Sequence, residues 1–361
     1  MKARSAAVAL AASILLVSLI LGCNGFFVDE NTTVSFPVYV ANSGVSSISA
    51  FKLDPSSGAL SQATGSPFTS GTGPGALGTN STGVFLYSAN VGGGGTNGGV
   101  SGWTINADAT LTAMNGSPFL SGASYSSLAV DPTARFVYAG ASGSAAIQGF
   151  TITSATGVLT GMGGTVATVG NPLRMVEDPT GKFLFVAEGA SGVEVFTIAN
   201  GGALTHVQTV ALGAANGIAV TAKYAYVADG ATGVNAYSID TTTGMLTPVG
   251  GALAAGTNPS NVAVSPNGAF VFVTNSGSND VSAYTVTSST GALTAVAGSP
   301  FAASTFPVAV AVDPSSRYVY VANQTAGSVS IFTIDTTTPG KLNSTGTTST
   351  GTNPSDVLVV Q

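Results

Sequence analysis

Runs of Val, Tyr and Phe that end on a small polar residue recur along the chain, each followed by turn-forming residues. They read VYVANSG, FLYSANVG, FVYAGASG, FLFVAEGA, YAYVADGA, FVFVTNSG and YVYVANQT. The closing residues are Asn42, Asn90, Ala141, Glu188, Asp229, Asn275 and Asn323, at spacings of 48, 51, 47, 41, 46 and 48. The clearest unit starts at Pro307 and holds PVAVAVDP, SRYVYVAN, GSVSIFTID and GKLNSTG. Each piece is short, β-branched or aromatic, and bounded by Gly, Pro, Asp or Asn, which are strand and turn signals. DPSS, DPTA, DPTG and SPNG separate the first piece from the second and predict tight turns. No stretch beyond the N-terminus keeps a helical period.

Four strands per unit and seven units predict an all-β fold, a seven-bladed β-propeller of four-stranded antiparallel blades. The two ends of the chain each hold part of a unit. The first copy, from about Val34, opens on VSFPVYVAN, a second-strand sequence with no first strand before it. The last residues, NPSDVLVV, are a first strand with nothing after it. Joined, they complete one blade, so the C-terminal strand is expected to close the ring and remove two exposed sheet edges.

Composition narrows the function classes. Only 7% of residues are charged, and 48 are glycine. The hydrophobic share of 44% and the regular pattern exclude disorder. The N-terminus reads MKARSAAVALAASILLVSLILGCNG: two cations, an apolar stretch from Ala6 to Ile20, then a small residue. This is an export-signal pattern. LILGC resembles the bacterial lipobox, which assigns residues 1–22 to a lipoprotein signal and Cys23 to lipid attachment. An ordinary signal peptide or an uncleaved membrane helix are the alternatives. Several buried acyl chains, at ~0.8 kcal/mol per CH2, make a stable anchor. Cys23 is the sole cysteine, so no internal disulfide forms. Residues 23–33 read as an anchored tether and 34–361 as the propeller. Without Lys2 and Arg4 the nine cations fall to seven against fifteen acids, a net of −8. Nucleic acid is therefore not an expected partner.

The unit P-x-x-V-A-V-D-P, R-Y-V-Y-V-A-N, V-S-x-F-T-I-D, T-G-x-L resembles the YVTN-repeat propellers of bacterial surface proteins. It also resembles the lactonase family, which includes the 6-phosphogluconolactonases. TGALTAVAGSPF, SGALSQATGSPF and ADATLTAMNGSPF look especially lactonase-like. The resemblance spans residues 34–361 and specifies the blade; chemistry must be argued from the site.

In this strand order one mouth of the channel is built by the loops that follow the second strands and the loops that enter the first. Aligning the entries puts Ala76, Ser127, Arg174, Gly217, Asn261, Ala309 and Asp356 at one position. Arg135, Arg317, Lys182 and Lys223 fall instead in the turns between first and second strands. Arg174 is thus the candidate anchor for a carboxylate or phosphate; its alternative is an ion pair with Glu177 or with an acid near the mouth. Glu188 and Asp229 replace Asn where the second strand closes. They are candidates for general acid/base work on a lactone or for holding a hard cation such as calcium; the alternative is capping of the loop backbone. His206, the only histidine, falls in the fourth, outermost strand, aligned with Pro248 of the next unit, and is expected at the rim. The family resemblance implies His, Arg and Glu near the channel; this chain offers Arg174 and Glu188 there but no histidine. The glycine run from Ala89 to Gly99 lacks the lysine of a phosphate loop, and Trp103 after it reads as core. No cofactor fingerprint, metal spacing or nucleophile elbow is present.

Two functions follow. The first is a lipid-anchored scaffold of the bacterial cell envelope, binding a protein or glycan at the channel mouth. The second is a lactone hydrolase, a carboxylic ester hydrolase acting on a small lactone.

Overall fold

The computed structural model describes residues 36–92, 98–141 and 143–360. The expected signal, Cys23, the tether and part of the glycine loop lie outside these residues. Seven antiparallel sheets form the expected ring. The sheet that closes it carries Pro354–Val359 innermost, then Pro37–Asn42, Ser47–Leu53 and Leu60–Gln62. Val359 lies opposite Val38, Val357 opposite Val40, and Asp356 opposite Ala41. The two ends of the chain therefore share one blade, counted here as blade 1.

Blades 2 to 7 follow in chain order. Their innermost strands are Pro74–Thr79, Tyr125–Val130, Arg174–Glu177, Ala215–Val220, Pro259–Val264 and Pro307–Val312. Inner strands begin, and second strands end, on one face of the ring, called the entry face below. The opposite face carries the turns between first and second strands.

The core lies between blades. Second strands such as Tyr318–Asn323 are buried at every position because a neighbouring blade covers each side of the sheet. That is why they read as unbroken apolar runs. Val38 and Phe51 of blade 1, for example, share a cluster with Tyr320 and Ile331 of blade 7. The recurring Tyr of the second strand adds a polar latch to the next blade. Tyr39 donates to the carbonyl of Ala109, Tyr87 to Gly157, Tyr138 to Gly202 and Tyr320 to Gly58. At Gly58, φ is +75° and a Cβ would lie 2.3 Å from the Tyr318 ring, so both conformation and space demand glycine.

The outer strands are less uniform than the repeat predicts. In blades 1 and 6 the SPF segment turns back and adds a two-residue strand, Phe68–Thr69 and Phe301–Ala302. Blades 3 and 7 lack SPF and run straight through Leu159–Ala167 and Leu342–Ser349. Trp103 is buried in the third strand of blade 2, as expected.

Candidate functional site at the channel mouth

The pairing registers put the aligned entry residues at one level of the ring. Ala76, Ser127, Arg174, Gly217, Asn261, Ala309 and Asp356 face Ala89, Gly140, Ala187, Ala228, Thr274, Ala322 and Ala41 on their second strands. Side chains here tie one blade's entry to the next blade's proline carbonyl. Ser127 donates to Pro172 at 2.7 Å, Asn216 to Pro259 at 2.8 Å, Ser260 to Pro307 at 2.9 Å and Ser355 to Pro74 at 2.6 Å.

Arg174 crosses this ring. Its Nη1 lies 3.5 Å from Asp356 Oδ2, and its Nη2 donates to the Ser355 carbonyl at 3.3 Å. Blades 4 and 1 are not neighbours, so the pair spans the channel mouth. Asp356 Oδ2 also accepts the Leu77 N–H at 2.8 Å, which brings in blade 2. Burial pushes the Asp356 carboxyl upward, and the Arg174 charge is the leading influence that opposes this. Of the two reading alternatives for Arg174, an ion pair with an acid near the mouth is what the structure holds, and that acid is Asp356.

Glu177 is not part of this pair. Three residues from Arg174 along a strand, it points to the other side of the sheet. It lies buried beside Asp131 and Arg135 near the opposite face, where neither carboxyl oxygen meets a donor and the Asp131 carboxylate is the acceptor for its own proton.

Glu188 and Asp229 close their second strands and cap loops. Asp229 is fully buried. It accepts the N–H groups of Ala214 and Ala231, at 2.8 and 2.9 Å, and the Thr232 hydroxyl at 2.8 Å. Glu188 accepts the Gly170 N–H at 2.8 Å through Oε2, while Oε1 meets no donor. Its carboxyl reaches that of Glu194, a buried residue of the third strand Val193–Ile198. Burial, then the hydrogen bond with Glu194, push Glu188 up to about 8. Among the described residues, no hydrogen bond or ion pair links Glu188 or Asp229 to Arg174. Nor is any group of three His, Cys, Asp or Glu side chains placed to hold a metal.

His206 stands in the fourth strand of blade 4, opposite Phe196. Its side chain is about half exposed, as a rim residue should be. It has partners nonetheless: Nε2 lies 3.3 Å from Glu194 Oε1 and 3.0 Å from the Thr209 hydroxyl. Glu194 is the residue that sequence reasoning passed over. An acid inside the run VEVFTI, where blades 1, 2, 6 and 7 place Ser, was the available signal.

The cations are segregated. Among the described residues, Arg174 is the only Lys or Arg on the entry face, with Glu188, Glu194, Asp229, Asp280 and Asp356 around it. Lys52, Arg135, Lys182, Lys223, Arg317 and Lys341 all sit toward the opposite face. Among the described residues, six of the eight exposed large apolar side chains also belong to the entry face: Val45, Val91, Leu120, Val169, Leu173 and Phe306.

Comparison with known proteins agrees with this architecture. Residues 39–359 match the family model described as lactonase, 7-bladed beta-propeller. No curated protein matches the chain. Among solved structures, a Bacteroides fragilis protein named as a candidate 6-phosphogluconolactonase superposes with a TM-score of 0.78 at 20% identity. The match covers 92% of this chain and 99% of that one. The periplasmic gluconolactonase of Pseudomonas aeruginosa gives 0.75 at 19% identity, over 91% and 99% of the two chains. At such identities the likeness is one of fold.

Proposed function

The chain belongs to the lactonase family of seven-bladed β-propellers, and from that premise we propose that this member is a binding scaffold whose entry face docks a protein or glycan. The observation that carries the reading is the Arg174–Asp356 pair. The one arginine at the mouth is neutralised by an internal carboxylate, and Glu188 and Asp229 are buried against loop amides. A phosphorylated substrate needs several cations; here the one cation on the entry face is already paired with Asp356. The apolar side chains around the rim suit a macromolecular partner.

Lactone hydrolysis is the second reading. Family membership favours it, as does the likeness to a periplasmic gluconolactonase in a chain that carries an export-type leader. An uncharged lactone needs no such set of cations. The test is turnover of glucono-δ-lactone and its 6-phosphate by the purified protein. The scaffold reading expects no rate above spontaneous hydrolysis. It also expects Arg174→Ala to cost only stability, about 1–3 kcal/mol for an acid left without its charged partner. Wild-type turnover well above the spontaneous rate overturns the scaffold. If Arg174→Ala then removes ~2–4 kcal/mol of transition-state binding, Arg174 is the lactonase's anionic stabiliser.

The scaffold is placed in the bacterial cell envelope by a lipid on Cys23. The lipobox-like LILGC and the sole cysteine support this. Cys23→Ser is expected to abolish fatty-acid labelling and to leave unprocessed precursor or release the protein from membranes. Undiminished labelling of the variant removes the assignment.

A further inference from the structure

Glu188 and Glu194 replace a neutral pair that recurs around the ring. In blades 1, 2, 6 and 7 an Asn amide at the end of the second strand donates to a Ser of the third. Asn42 reaches Ser49 at 3.0 Å, Asn90 reaches Ser101 at 3.0 Å, Asn275 reaches Ser282 at 2.9 Å and Asn323 reaches Ser330 at 3.0 Å. One member of each pair then accepts a backbone N–H from the loop that enters the blade. Gly71 donates to Ser101, Gly256 to Ser282, Ser304 to Ser330 and Gly351 to Asn42. The pair is a clamp on the entry loop.

Blade 4 keeps the clamp and changes its chemistry. Glu194 pairs with Val186 as Ser49 pairs with Val40, so it occupies the Ser position. Both carboxyls hold the entry loop: Gly170 donates to Glu188 Oε2 at 2.8 Å and Val169 to Glu194 Oε2 at 2.9 Å. An Asn amide brings its own donor, whereas two carboxylates bring none. The contact between Glu188 and Glu194 therefore needs one proton, held between two buried groups.

We propose that Glu188 and Glu194 form a proton-dependent clasp on loop 168–173, which holds Arg174 in its cross-channel position, and that loss of the shared proton releases the loop. The step is a single O–H ionisation, with the proton passing to solvent. Burial and the bond to Glu194 push Glu188 up to about 8, which puts the release in mild alkali. The second strand brings Glu188, the third Glu194 and the fourth His206; loops 168–173 and 189–191 bring no titratable side chain. Arg174, at the end of the entry loop, is turned to Asp356. His206 presents Nε2 to Glu194 Oε1 at 3.3 Å, on the side of that carboxyl away from the loop. The clasp does not depend on what the mouth binds.

The test is hydrogen exchange at the Val169 and Gly170 amides at pH 6.5 and 9. Rates are expressed as protection factors, with second-strand amides of blade 4 as the internal reference. Wild-type protection at both amides should fall about tenfold or more at pH 9, the change that one pKa unit of coupling carries, while the reference amides stay protected. The double variant E188N/E194S restores the Asn–Ser pair of the other blades and should be equally protected at both pH values. If it does not fold, Glu188→Gln serves instead, because its amide always carries a proton; it should stay protected at pH 9. Unchanged wild-type protection, or the same fall in the Asn–Ser or Gln variant, overturns the clasp.

Discussion

Removal of residues 354–361 is expected to abolish the closed monomeric ring. This strand is the innermost of blade 1, paired with Pro37–Asn42, and it buries Val357, Val359 and Val360. Three buried valine side chains contribute on the order of 5 kcal/mol. The deletion also takes Asp356 from Arg174 and Ser355 from the Pro74 carbonyl. It leaves the strand beginning at Pro37 as a bare inner edge, with Val38 and Val40 uncovered. Domains of this kind are stable by only about 5–15 kcal/mol, so the loss approaches the whole. An exposed apolar edge also pairs with other chains. The truncated protein should therefore elute as aggregate in size-exclusion chromatography and show no cooperative melt. A monomer with an unchanged melting temperature contradicts terminal closure as the main fastener of the ring.

That closure was legible before any coordinates, because the period is carried by local signals. Turn residues and a second strand buried on both sides repeat every time the chain returns to the same place. The level of Arg174 and Asp356 was legible too, since both align at the strand entry. Their contact was not. It depends on the ring folding back across its own channel, whereas sequence proximity suggested Glu177, which strand periodicity sends to the other side of the sheet. Glu188 and Asp229 sat where loop capping was expected, and capping is what their oxygens do. The link from Glu188 through Glu194 to His206 was hidden for a different reason. Cross-strand register decides which third-strand residue meets the capping residue, and the bulge between Val195 and Phe196 shifts the register of the outer strand. The His206 strand was thus readable while its partner was not. The outer strands diverged because SPF segments act through a reversal of the chain, which a count of four strands per unit does not register.

The pH dependence of stability should carry the mark of Glu177. Its equivalents in the other blades are Thr79, Val130, Val220, Val264, Val312 and Val359, so an acid stands where five blades place valine. The side chain is buried, neither oxygen meets a donor, and its own proton faces the Asp131 carboxylate. Burial first, then the Asp131 carboxylate, push it up to about 9, against the pull of Arg135. The ordinary value for the unfolded chain is 4.5. Between these values the unfolded state holds fewer protons than the folded one, so stability falls as pH rises. The full contribution is present below about 4.5 and is lost on approach to about 9. Over pH 5.5 to 8 the fall should reach up to about 3 kcal/mol, at ~1.4 kcal/mol per unit. Glu188, raised to about 8, acts in the same direction. The lowered carboxyls of Asp54, Asp240 and Asp335 act in the opposite sense, and only in stronger acid. Urea unfolding at pH 5.5 and 8 should therefore show a wild-type protein that is more stable in mild acid. Glu177→Gln should keep only the shallower slope due to Glu188 and Asp356, and E177Q/E188Q should be shallower still. Glu177→Val should be more stable than wild type at pH 8 by about 2 kcal/mol, because it removes a costly buried polar group and supplies the apolar contact of the other blades. A wild-type stability that rises between pH 5.5 and 8, or a slope that survives E177Q/E188Q unchanged, would show that Glu177 is not the buried neutral acid described here.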